Sequence, residues 1–203
     1  MRQFIAEPTA ALAEDGRLLP ELILAWGNSG WIAQEEYLRA CMVSAMSSRG
    51  PTLECGSGLS TLLLGVIAQQ RGYEHWALEH LSEWRARVER FLVRYRITAV
   101  RLCLAPMKRY RGFEWYKPPL AHLPREFGLV VCDGPPADTF GGRYGLVPVM
   151  RRHLAPGCVI LLDDASREQE RAIAQRWQVQ LNSENQFFDG EKPYMRILVP
   201  ERH

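Results

Sequence analysis

Nothing in this sequence is apolar for anything near the roughly 18 residues a membrane-spanning helix needs, which excludes a helical bilayer protein. No basic segment leads into an apolar one at its start, so a cytoplasmic location without a membrane partner is expected. An excess of one charge is also missing: 25 Lys and Arg against 23 Asp and Glu leave a formal +2. A field that weak gives no reason to expect a nucleic-acid partner. Cysteine is sparse and odd in number. Cys41, Cys55, Cys103, Cys132 and Cys158 are scattered, and four of them lie in or beside apolar runs, which argues for reduced core residues and against a disulfide framework. Repeats are absent too, which excludes a solenoid.

What is present is enough for one core: 203 residues, 47% of them apolar. From residue 51 onward short apolar runs alternate with helical patterns. That alternation predicts an α/β fold with a Rossmann-like, doubly wound, mostly parallel seven-stranded sheet. Strands are expected at 52–55, 75–79, 99–104, 127–132, 158–162, 178–182 and 195–199, and helices at 60–71, 82–95, 144–154 and 167–177. Ser82 is a simple N-cap candidate, and Ser166 with Gln169 has capping-box spacing. Residues 1–50 carry helical patterns at 20–26 and 34–48 but no strand. They read as a helical cover belonging to the same domain as residues 51–203.

The most informative stretch is Leu53-Glu54-Cys55-Gly56-Ser57-Gly58-Leu59-Ser60-Thr61, a strand entering a glycine turn that opens a helix. Glycines let the backbone approach a ligand, and the helix start offers free N–H groups. A dinucleotide fingerprint would place a third glycine where Thr61 stands, which weakens an NAD-dependent oxidoreductase reading. Glu79 ends the next expected strand, 21 positions after Gly58, where a carboxylate can take both hydroxyls of an adenosine ribose. Glu54, two residues before the first glycine, would repel a pyrophosphate but suits a ligand with an amino group. Together these favour S-adenosylmethionine over NAD.

In this order, Trp26-Gly27-Asn28, Leu53 to Gly58, Ala77-Leu78-Glu79-His80, Trp115-Tyr116, Cys132-Asp133-Gly134-Pro135-Pro136, Gly141-Gly142-Arg143-Tyr144-Gly145 and Leu161-Leu162-Asp163-Asp164-Ala165 resemble the class I S-adenosylmethionine-dependent methyltransferases. The nearest likeness is to the small bacterial O-methyltransferase-like families with DGPP and LLDDA strand ends. The resemblance implies that Glu54, Gly56, Ser57 and Gly58 surround the cofactor's methionine part, that Glu79 binds its ribose and that His80 lies beside the adenosine. Ser60 stands where the family often has a third glycine, and its hydroxyl, with Thr61, is a further cofactor contact. No acidic residue follows the third strand at Ala105-Pro106-Met107.

Asp133 and the pair Asp163-Asp164 end neighbouring strands, so three carboxylates meet at the cofactor edge, with Asp133 a candidate for contact with cofactor as well as acceptor. Such a cluster is relieved by a cation, by raised pKa values or by basic neighbours. The pattern is similar to catechol-type O-methyltransferases, which hold magnesium with Asp and an Asp-Asn pair. Asp164 stands where that pattern has Asn, so Mg2+ at Asp133, Asp163 and Asp164 and a metal-free role both remain open, as does helix capping by Asp164.

Methyl transfer chiefly needs alignment and exclusion of water. For a hydroxyl acceptor, Asp133, Asp163 or His80 is a candidate base, directly or through water, with Asp164 the third carboxylate of the candidate catalytic cluster; His80 also reads as a plain strand-end histidine. On the acceptor side, Trp115 and Tyr116 sit in the 22-residue connection 105–126, either as an aromatic wall or as an anchor for the loop. Trp26, Asn28 and Trp31 in the N-terminal segment invite the same two readings. Arg143 either grips an anionic acceptor or pairs Asp133 or Asp138. The expected activity is transfer of methyl to a small-molecule acceptor at oxygen. The alternatives are an NAD-dependent oxidoreductase and a non-catalytic S-adenosylmethionine-binding domain.

Overall fold

A computed structural model describes residues 1–13, 15–27 and 33–201. Its centre is a seven-stranded sheet in the order β3-β2-β1-β6-β7-β9-β8, built from β1 (Thr52–Cys55), β2 (His75–Glu79), β3 (Val100–Leu104), β6 (Phe127–Cys132), β7 (Leu154–Leu162), β8 (Glu184–Phe188) and β9 (Tyr194–Leu198). Every pairing from β3 to β7 is parallel, and β9 runs antiparallel to both β7 and β8. This is the Rossmann-like α/β architecture expected. β1 and β2 are buried at every position, as parallel strands covered on both faces must be.

The sheet divides two cores. On one face α1 (Arg2–Ala6), α2 (Leu18–Trp26), α3 (Glu35–Ser47), α4 (Leu59–Arg71) and α5 (Ser82–Tyr95) contribute Phe4, Leu19, Met42, Leu63, Ile67 and Val88 to one apolar cluster with Val131 and Leu161. Tyr37 in α3 also donates its hydroxyl to the Leu161 carbonyl at 3.0 Å, tying the first 50 residues to the middle of the sheet. The other face is covered by α6 (Leu146–Met150), α7 (Glu168–Leu181) and a two-stranded hairpin of β4 (Met107–Tyr110) and β5 (Phe113–Tyr116).

Three expectations need correction. Residues 178–181 are not strand but the last turn of α7, which stops where Asn182 takes a left-handed φ of 52°, a conformation asparagine tolerates. The strand follows at β8. Residues 144–154 divide into short 3-10 turns around the five-residue α6. Neither Ser82 nor Ser166 caps a helix: α5 and α7 begin after Leu81 and Arg167, without side-chain cap bonds, and the Asp164 carboxylate does not cap α7 either, its carbonyl accepting the Arg167 N–H at 2.9 Å.

Candidate active site

Parallel pairing brings the ends of β1, β2, β6 and β7 to one edge, so Gly56, Glu79, Asp133 and Asp163 arrive together. Gly56 turns the chain out of β1 with φ of 91°, which favours glycine. Opposite it, Gly134 lies so close to the Tyr116 hydroxyl that a Cβ there would collide with it and crowd the Cys55 carbonyl.

Glu54 in β1 is almost wholly buried, and its oxygens are engaged inside the protein. Oε1 accepts the Ser60 hydroxyl; Oε2 accepts the Thr61 hydroxyl at 2.6 Å and lies 3.2 Å from His75 Nε2. His75 Nδ1 shares a 2.8 Å hydrogen bond with Thr52 Oγ1, and Thr61 Oγ1 in turn accepts the Gly58 N–H at 2.9 Å. The carboxylate thus fastens the first turn of α4 to β1 and β2. Together with Gly56, Ser57, Gly58, Asp133 and Trp26 it lines a cavity of about 20 Å³, room for about one water.

Glu79 caps β2 at the same edge. Its Oε2 accepts the Ser57 hydroxyl at 2.7 Å, its Oε1 accepts the Leu81 N–H at 2.9 Å, and His80 Nδ1 stands 3.2 Å from Oε1. Burial alone would raise its pKa, but His80, Leu81 and Ser57 outweigh that and hold it below the ordinary value, so the carboxylate stays ionised at neutral pH. Trp84 in α5 secures the turn by donating its indole N–H to the Ser57 carbonyl at 2.6 Å. His80 meets Tyr116 edge-on, ring centres 5.9 Å apart.

The three aspartates do converge: one oxygen from each of Asp133, Asp163 and Asp164 lies within 4.8 Å of the others. Basic side chains have already taken them. Arg143, with 2% of its side chain exposed, reaches Asp164 Oδ2 at 2.6 Å and Asp133 Oδ1 at 3.3 Å. The same guanidinium donates to the carbonyls of Asp163 at 2.7 Å and Asp133 at 2.8 Å, stitching the end of β6 to that of β7. Lys192 bridges Asp163 Oδ2 at 3.1 Å and Asp164 Oδ1 at 3.0 Å, and Arg167 adds a 2.7 Å contact to Asp164.

These partners set the charges. Burial raises the Asp164 carboxyl, but Arg143 and Lys192 overcome it and the net shift is downward. Asp133 goes the other way. Its enclosed position and the charge of Asp163 hold it well above the ordinary carboxyl range, against the pull of Arg143 and Lys192. Asp133 nevertheless keeps 29% of its side chain exposed, so a small molecule can reach it.

Magnesium fits this set poorly, because an ion seated among the aspartates would have to displace Lys192 and compete with Arg143 for the same oxygens. The Asp at position 164 is explained by the same contacts. Its φ of 60° suits Asn or Asp, and three cationic neighbours favour the charged residue.

Of the residues expected on the acceptor side, Trp115 and Tyr116 form the end of β5 and are fully buried, Trp115 packing on Gly145 and Tyr116 on Gly134. Asn28 and Trp31 lie outside the described residues. Sequence reasoning missed His75, Trp84, Arg167 and Lys192. His75 carried a signal: it is a titratable residue at the inward start of an apolar strand, in register with Thr52.

Residues 53–165, over half of the chain, match the family model described as a methyltransferase domain. No curated protein matches the sequence. Among solved structures, a methyltransferase from Geobacter sulfurreducens superposes with a TM-score of 0.66 at 11% identity, covering 99% of this chain and 97% of that one. An SAH-bound methyltransferase from Podospora anserina gives 0.64 at 14% identity, covering 97% and 89%. An O-methyltransferase from Bacillus cereus in complex with SAH gives 0.60 at 13% identity, covering 97% of each chain. At such identities the likeness is one of fold.

Proposed function

Because this chain belongs to the methyltransferase-domain family and is an S-adenosylmethionine-dependent methyltransferase, we propose that it methylates a small molecule at oxygen, with Asp133 as the base. The family assignment ends the NAD-dependent reading. The observation that carries the proposal is the contrast between two carboxylates on one edge. Glu79 is held ionised beside the glycine turn, and Asp133 is held above its ordinary range and open to a small molecule. Environments that push two acids apart in this way mark separate roles, binding for one and proton transfer for the other.

In this reading Gly56, Ser57, Gly58, Ser60 and Thr61 enclose the methionine part of the cofactor. Glu54 holds that turn in shape, Glu79 takes the ribose hydroxyls and His80 flanks the adenosine. When bound, the cofactor supplies a sulfonium methyl whose carbon forms the new bond to the acceptor oxygen while the S–C pair returns to sulfur, leaving S-adenosylhomocysteine. Asp133 accepts the acceptor's proton. Asp163 and Asp164 hold their basic partners in place, Arg143 fixes the strand ends beneath them, and Trp115 and Tyr116 support the edge from below.

Calorimetric titration with S-adenosylhomocysteine, with NAD beside it, should show binding of the former alone. Asp133→Asn should keep that binding and lower turnover on a panel of phenols and hydroxy acids by about 10²- to 10⁴-fold. Because the base must be ionised and its pKa is raised, wild-type kcat/KM should fall on acidification at a pH above the ordinary carboxylate range. The residual activity of Asp133→Asn should lack that limb. Undiminished turnover by this variant would remove Asp133 from the mechanism, and absence of turnover in the wild type with every acceptor would favour a binding domain.

A further inference from the structure

We propose that Lys192 stands where a metal-dependent enzyme would hold its divalent cation, and that its ammonium receives the ionised oxygen of a phenol-type acceptor. The proposal rests on the methyltransferase reading and extends it to the acceptor's chemistry. Three carboxylates within 4.8 Å of one another demand positive charge, and three side chains supply it, but they are not equivalent. Arg143 is enclosed, with its terminal nitrogens committed to strand-end carbonyls, Asp133 and Asp164. Arg167 approaches Asp164 from the position just before α7, with 45% of its side chain exposed. Lys192 is the intermediate case: its ammonium bridges Asp163 and Asp164 at 3.1 and 3.0 Å while 26% of the side chain stays exposed.

An ammonium carries three N–H donors, so two contacts leave one for a ligand. The position is also right. Lys192 lies in the turn 189–193 between β8 and β9, and because β9 pairs antiparallel with β7, that turn falls beside the end of β7, on the edge where Asp133 lies. The Pro193 carbonyl accepts the Ala165 N–H at 2.8 Å. That bond ties the turn that carries the lysine to the segment after β7. An ammonium bridging two aspartates, on the edge where the proposed base lies, offers its remaining charged N–H donor to one oxyanion. That matches a phenolate better than a neutral alcohol, which gains little from a charge.

The test follows binding, with and without S-adenosylhomocysteine, using Mn2+ and 4-nitrophenol as probes. Wild type should show no Mn2+ binding by calorimetry or electron paramagnetic resonance up to about 1 mM. It should also bind 4-nitrophenol as the coloured anion, at a pH below that at which the free probe ionises. Lys192→Met should lose anion affinity by about tenfold or more and gain a Mn2+ site, while Lys192→Arg should retain the anion and still refuse the metal. Equal Mn2+ binding by wild type and Lys192→Met, or equal affinity and ionisation of the phenol, would overturn the proposal. Should Lys192→Met fail to fold, Lys192→Gln, which keeps a donor without the charge, puts the same questions. Failure of wild type to bind S-adenosylhomocysteine would count against the cofactor reading alone, since both probes still report on Lys192.

Discussion

Glu79→Ala should weaken S-adenosylhomocysteine binding by about 10²- to 10⁴-fold, because hydrogen bonds to a charged acceptor contribute about 1.5–3 kcal/mol each and two ribose hydroxyls lose theirs. The substitution also removes the oxygen that anchors Ser57 and the one that accepts the Leu81 N–H. Part of the loss will therefore come from a looser turn. Glu79→Gln separates the two contributions: it can still accept from Leu81 but carries no charge, so an intermediate affinity is expected. Calorimetry measures both variants, and a thermal melt confirms that they are folded. An affinity for Glu79→Ala equal to wild type would sink the ribose assignment.

Arg143→Met should destabilise the fold by about 3–5 kcal/mol, the usual result of removing one partner from a buried charge pair. The residue donates to three backbone carbonyls and lies within ion-pair distance of three carboxylates from a single enclosed guanidinium. Its charge is secure: burial disfavours the cation, but Asp133, Glu170 and Asp164 raise its pKa still further. For a chain of this size that loss lowers Tm by roughly 10 °C. Arg143→Lys should rescue little, since an ammonium cannot copy the planar fork that spans β6 and β7. Acid sensitivity should change in step. The lowered pKa of Asp164 stabilises the fold above its unfolded value of about 3.9, and that stability is lost as pH falls through the lower folded value. Without Arg143 this contribution shrinks. Urea unfolding at neutral and acidic pH measures both effects, and a loss below about 1 kcal/mol would show that the clamp is dispensable.

The parts of this structure that were legible in the sequence are those where one physical rule acts alone. β1, β2 and β6 begin and end where their apolar runs do, because interior parallel strands are buried on both faces. Edge elements were harder. β8, Glu184–Phe188, is half polar and lies at the rim of the sheet, while the apolar residues before it belong to the end of α7. The β4–β5 hairpin read as an irregular connection although Arg111-Gly112, with Gly112 at φ of 91°, is a two-residue turn between aromatic flanks. In the site, Glu54, Glu79 and the aspartates were visible because they end or lie within recognisable strands. Lys192 was not, since a lysine in a polar turn looks like any solvated lysine until the antiparallel pairing of β9 carries it back over β7. The charge of Asp164 made sense only once Arg143, Arg167 and Lys192 were in place around it.

The apolar cluster that α1, α2 and α3 share with α4, α5 and the sheet bears on how this molecule comes apart. Tyr37, Leu38 and Met42 pack in one body with Leu62, Leu63, Val131 and Leu161, so the described residues before 51 share their core with the sheet and its helices instead of holding one on which to unfold independently. Amide exchange in α3 and α4 should therefore slow to the same extent and be released in one cooperative opening. A fragment trimmed to residues 53–165, although it spans the recognisable family region, should expose that apolar face and aggregate instead of folding.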